Sequence, residues 1–170
     1  FRPAARDVLN ALVAHPDLMP IVLTNSLGDK VRRQIGMLEL DGEIAVLGDT
    51  RQYDMDPAWS QRFPHPDLGE IQVWPVSEKH RVDLRRPVYY QALRKAAADG
   101  SQLVVVADTF SLPGALPLLM GLPFFLLRTS YTPDWCAEVI DAHPLGYLLG
   151  DLGDLPARLS ALLADSAIDP

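Results

Sequence analysis

Cysteine is almost missing from these 170 residues: Cys136 stands alone. A single thiol excludes an internal disulfide framework and a cysteine-rich zinc site, and Cys136 itself reads as a small buried apolar residue. Histidine is scarce as well. His15, His65, His80 and His143 never stand four apart, the spacing by which a helix aims two imidazoles at one metal, so no histidine metal site is expected. Excess positive charge is also missing. Against 15 Lys and Arg stand 22 Asp and Glu, a formal charge of −7, which is the wrong sign for a nucleic-acid face. The longest apolar candidate, Leu112 to Leu127, is cut by Pro113, Pro117 and Pro123, and falls short of the roughly 20 apolar residues that cross a membrane. Phe1 to Asp7 has no basic patch followed by an apolar stretch, so no signal peptide is read there. A cytoplasmic location is the expectation. The chain opens at Phe1 without an initiator Met, and reads as a segment of a longer chain or a processed product.

What is present suits a packed domain. Hydrophobic residues make up 48% and charged ones 22%, enough to bury a core, and 15 prolines promise short elements with sharp ends. Helices are predicted over Pro3 to Ala14, Leu27 to Leu38, Val88 to Ala98, Ala115 to Met120 and Asp154 to Ala164, each with one apolar stripe or a closing glycine. Gly100 is read as the stop for the third of these and Gly121 for the fourth. Strands are predicted over Pro20 to Ser26, Glu43 to Leu47, Leu103 to Asp108, Pro123 to Leu127 and Tyr147 to Leu149. Leu103 to Asp108 is continuous and β-branched, the pattern of a strand buried on both sides. Thr50 to Asp83 loses periodicity and is read as an insertion, with an edge strand over Gly69 to Val76 because Pro75 cannot donate to a ladder.

Alternating short strands and helices predict an α/β fold with an open, three-layer, Rossmann-like parallel sheet, a single domain over residues 1–170 carrying an insertion at about 50–83. Ligands of such sheets sit beyond the carboxyl ends of the strands. There the chain places Thr24-Asn25-Ser26, Gly48-Asp49, Asp108-Thr109 and Arg128-Thr129-Ser130. Thr24, Asn25 and Ser26 offer hydroxyl, amide and backbone donors where a helix opens, which suits a phosphate oxygen. Equally, Ser26 or Asn25 can serve as the N-cap. Asp108 can hold a divalent cation or cap the helix that follows. Arg85-Arg86-Pro87 puts cations at a helix start, to neutralise an anion or to sit solvated.

The order of these pieces resembles the haloacid dehalogenase-like (HAD) superfamily. The strand Ile21-Val22-Leu23 ending in Thr24-Asn25-Ser26 is similar to that family's second motif, with Thr24 preferred over Ser26. Arg86-Pro87-Val88-Tyr89-Tyr90 resembles the third, with Arg85 as the alternative. Val104-Val105-Val106-Ala107-Asp108 through Gly121 resembles the fourth. The resemblance implies a Mg²⁺-dependent aspartyl-phosphate route acting on a small phosphorylated molecule. Thr24 and neighbouring N–H groups would hold the phosphate oxygens, Arg86 would offset negative charge, and Asp108 would orient the metal. Trp59 and Trp74, in the stretch read as an insertion, are candidates to wall the access, with local packing of the insertion as the commoner role for such residues.

Two departures matter. The family's first motif, an Asp-x-Asp on a strand, is not seen ahead of the second motif, and Asp54-Met55-Asp56 follows no apolar strand. Where a second acid is expected after Asp108 stands Pro113. The absent strand would be central in the sheet, so the segment is expected to recruit a partner strand or to self-associate. Two other readings stand beside the phosphatase: a catalytically degenerate HAD-like binding or regulatory module, and a nucleotide-binding Rossmann-like domain. The latter calls for Gly-x-Gly-x-x-Gly after the first strand, where only Gly28 stands.

Overall fold

The computed structural model describes residues 2–51, 54–56, 58, 72–98 and 101–166. The fold is mixed α/β with parallel strand pairing. It divides into two compact units, Phe1–Asp49 with Leu149–Pro170, and Thr50–Leu148.

In the first unit, α1 (Ala5–Ala14) leads to β1 (Ile21–Leu23), α2 (Gly28–Gly36) and β2 (Ala45–Leu47). Strands β1 and β2 are parallel, with Val22 opposite Val46. A short 3₁₀ turn, Leu152–Asp154, leads into the closing helix α6 (Leu155–Ser166). Asp151 accepts from the Gly153 N–H at 2.7 Å, capping that turn. Helix α1 packs on α6 and on the turn before it, and Val8, Val46, Leu155 and Leu159 are buried. Helix α1 starts later than its sequence predicts. Ala4, with φ +61°, takes the N-cap position and leaves Pro3 outside.

The second unit opens with an antiparallel ribbon, β3 (Val73–Pro75) against β4 (Arg81–Asp83). Helix α3 (Pro87–Ala96) buries Tyr89 and Leu93, four residues apart on one face. Pro87 occupies its first turn, where the missing N–H costs nothing. Strand β5 (Val105–Ala107) follows, then a π-helical turn (Phe110–Gly114), the short helix α4 (Ala115–Leu119), β6 (Phe124–Leu127), α5 (Asp134–Ala142) and β7 (Gly146–Leu149). The sheet order is β5-β6-β7, with β5 and β6 parallel. All four residues of β6 are buried, as an apolar strand with a neighbour on each side should be. Gly121, at φ +75°, ends α4 as predicted. Its N–H donates to the Leu118 carbonyl and that of Leu122 to Pro117, a left-handed cap that favours glycine. Gly114 lets the π-helical turn lie on the Phe124 ring, where a Cβ would collide.

Several expectations change. In the strand after Leu103, Val105 is buried but Val106 and Ala107 are half-buried, because β5 lies at the end of its sheet and pairs with β6 alone among the described residues. The stretch after Asp108 is a π-helical turn and not a loop, although it contains Pro113. The edge strand is confined to Val73–Pro75 within a two-stranded ribbon. Gln72 to Asp83 belongs to the same compact unit as β5 and β6. Trp59, His65, Gly100 and the start of the predicted 69–76 strand lie outside the described residues. No described helix is long and apolar enough to cross a membrane.

Candidate functional site

At the carboxyl end of β1 the ladder continues one residue, as the Thr24 N–H donates to the Leu47 carbonyl at 3.0 Å. The chain then turns on its own side chain. The Ser26 N–H donates to Thr24 Oγ1 at 3.1 Å, a hydroxyl-mediated turn that leaves the Thr24 hydroxyl proton to donate elsewhere. The Asp49 N–H donates to the Ser26 carbonyl at 3.2 Å and ties the loop after β2 to the loop after β1. Gly48 makes this approach possible, since a Cβ there would collide with the backbone of Gly28.

Neither Asn25 nor Ser26 is the N-cap. Leu27 holds that position, and its side chain has no polar group with which to cap α2. The reason is local: once Thr24 has captured the Ser26 N–H, the chain needs one more residue before it can enter the helix. The Lys30 and Val31 N–H groups donate to the Leu27 carbonyl, and those of Gly28 and Asp29 open the helix. Arg32 stands one turn along α2 from Gly28. Its guanidinium lies over Gly28, bonded to Asp29 Oδ1 at 2.6 Å and to the Val46 carbonyl at 3.4 Å. A Gly-x-x-x-Arg spacing at a helix start is the signal that would have found it, since i and i+4 share a face. This end of the first unit thus gathers a hydroxyl, helix N–H groups and a cation, a set suited to an anion.

In the second unit the two candidate arginines differ. Arg85 grips Asp83 through Nη2 at 2.6 Å and Nε at 3.0 Å, and its own N–H donates to the same carboxylate. The Arg85 hydrogen bonds hold the Asp83 carboxyl below its usual range, and Asp83 raises Arg85. Arg86 is the N-cap residue of α3 and is only 9% exposed. Burial pulls its guanidinium below its usual range, with Asp83 opposing. Arg85 is therefore occupied structurally by Asp83. Asp54-Met55-Asp56 is not on a strand. The Asp56 N–H donates to the Arg85 carbonyl, and Asp56 Oδ1 accepts from the Ala58 N–H.

Asp108 follows β5 directly and is exposed, with the Thr109 hydroxyl donating to it at 3.3 Å. Thr109 takes the N-cap position of the π-helical turn, and its side chain makes no cap bond there. At Pro113, where a second acid would stand, the carbonyl accepts from the Tyr89 hydroxyl at 2.9 Å. That bond joins α3 to the turn after β5, so Arg86 and Asp108 are carried by elements that touch. Burial raises the Tyr89 phenol well above its usual value, which keeps it a donor. Among the described residues no three His, Cys, Asp or Glu side chains gather as a metal site. Asp108 with Pro113 does not by itself fit Mg²⁺, which is held through carboxylates and phosphate oxygens.

The structure gathers Thr24, Asn25 and Ser26 in the first unit and Arg86 and Asp108 in the second. Cys136 is buried as expected, its thiol pushed up to about 11 by burial. Trp74 packs edge-on against Phe110 and His143. No protein-family model, curated protein or solved structure matches the chain.

Proposed function

We propose that this chain is a HAD-like core, Rossmann-like in its sheet, and that it binds the phosphate group of a small phosphorylated molecule. The observation that carries the reading is the Thr24–Ser26 turn at the carboxyl end of a parallel strand, running into a helix whose N-cap residue, Leu27, is apolar. A helix N-terminus that follows a hydroxyl-bearing turn suits an anion. A second observation supports the HAD-like part. Among the described residues β1 pairs with β2 alone and β5 with β6 alone. Both strands carry the apolar, β-branched runs of strands built for burial, yet all of β1 and two of the three residues of β5 are half-buried. These are the two strands that the resemblance sets beside its Asp-x-Asp strand.

With such a strand supplied, the reading is a phosphatase-type hydrolase. A carboxylate attacks phosphorus as the bond to the leaving alcohol breaks, Thr24 and the α2 N–H groups hold the phosphate oxygens, and water then cleaves the acyl phosphate to release inorganic phosphate and restore the carboxylate. No step is routed through Mg²⁺, because Asp108 and Pro113 do not make its site. The same residues favour a second reading, a module that binds phosphate esters without cleaving them.

The test uses the complete protein. Release of phosphate from an aryl phosphate is measured with and without Mg²⁺, and inorganic phosphate is titrated by calorimetry. Release supports the hydrolase. Binding without release supports the module. Thr24→Ala is expected to weaken phosphate binding about tenfold or more, given roughly 1.5–3 kcal/mol for a hydrogen bond to a charged group. Neither binding nor release would defeat both readings.

A further inference from the structure

A cavity of about 350 Å³ lies in the second unit, between the β3–β4 ribbon and α5. The ribbon contributes Trp74 and Val76, and the helix contributes Trp135, Glu138 and Val139, with His143 just beyond it. Positions 135, 138 and 139 form one helical stripe, i, i+3 and i+4, so one face of α5 makes a continuous wall. The volume is at the small end of the range for small-molecule sites.

The aromatic walls are held before any ligand arrives. Trp135 stacks on His80 with centroids 4.3 Å apart and planes 8° from parallel. His80 is itself fixed by Ser77, with Oγ 3.0 Å from Nδ1. Phe110, 1% exposed, meets Trp135 edge-on at 5.8 Å and Trp74 at 5.7 Å. It braces both indoles from below the surface. Trp74 also meets His143 edge-on at 6.2 Å. Rings fixed in this way lose little freedom on binding.

Charge selects the ligand. Glu138 lines the cavity and is exposed, and among the described residues no Lys or Arg lines it. The His143 Nδ1 accepts from the Leu145 N–H at 3.2 Å, and burial lowers its pKa, so it adds no positive charge near neutral pH. Indole faces are electron-rich and attract cations. A carboxylate beside two indoles therefore repels anions and leaves a neutral guest without use for the charge.

We propose that the cavity between the β3–β4 ribbon and α5 binds a small organic ammonium ion, seated against Trp74 and Trp135 and attracted by Glu138. The site stands apart from the phosphate reading, since all its residues belong to the second unit and Thr24–Ser26 to the first.

The test titrates the whole chain, at low salt, with choline and in parallel with its neutral tert-butyl analogue, in which carbon replaces the quaternary nitrogen. The indole NH resonances of Trp74 and Trp135 are followed. Choline is expected to shift both and to bind about tenfold tighter than the neutral analogue, within the span of cation–π attraction. Glu138→Gln, an exposed and fold-neutral change, is expected to weaken choline several-fold and leave the analogue unchanged. Trp135→Leu is expected to abolish choline binding. Equal affinity for the two probes, no shift of either indole at millimolar choline, or indifference to Glu138→Gln would each overturn the proposal.

Discussion

The two units share a plan and differ in depth. Each has a parallel strand pair and a chemistry-bearing residue just past a strand, Thr24 after β1 and Asp108 after β5. In the second unit β6 runs with a strand on each side, all four of its residues are buried, and Phe125 stacks on Tyr147 at 4.6 Å. In the first, Ile21, Val22 and Leu23 of β1 are no less apolar, yet all three are half-buried, and α2 buries nothing. Burial therefore follows a strand's place in its sheet and not its composition. The consequence reaches the candidate site. The Thr24–Ser26 turn rests on the thinner unit and is held mainly by backbone hydrogen bonds, whereas the aromatic cavity is braced by the deeper core.

The sharpest way to break this contrast is to truncate each core. Phe125→Ala should destabilise the second unit by about 3–5 kcal/mol, as large-to-small changes of buried aromatics do. Val46→Ala should cost about 2 kcal/mol or less in the first unit. Urea unfolding measures both, and equal costs would erase the distinction.

Gly48→Ala sharpens it from the other side. Its Cβ would strike the Gly28 backbone, an overpacking worth about 1–3 kcal/mol. Amide-exchange protection of β1 and β2 should fall while that of β6 holds. Loss spreading equally to β6 would mean that the units open together.

The smallest effect is electrostatic and belongs to the second unit. Burial lowers the His143 pKa, so the unfolded chain takes up the proton first on acidification. The contribution of His143 is fully present above its ordinary value near 6.5 and is lost as pH falls from there through the lowered folded value. His143→Gln should flatten the stability–pH curve across that window. An unchanged slope would remove His143 from the cause.

Most element positions were legible because they depend on neighbours a few residues away. The stripe of Val8 and Leu12 predicts α1, Gly121 predicts the end of α4, and Phe124 to Leu127 reads directly as a strand. The candidate loop was legible in part. Thr24, Asn25 and Ser26 lie where the strand reading puts them, but the N-cap moved to Leu27 because the Thr24 side chain took the Ser26 N–H first. The role of Arg32 escaped, since a basic residue on a polar face looks solvated until the chain folds Gly28 beneath it.

By itself the amino-acid order determined where most of the strands and helices lie and which small polar and acidic residues end the strands, because periodicity and capping act over one or two turns. Only the tertiary structure decided which strand is central, which arginine grips Asp83, and that Trp74, Phe110 and Trp135 meet. Those outcomes depend on contacts between residues far apart in the chain, whose pairing carries no local signature.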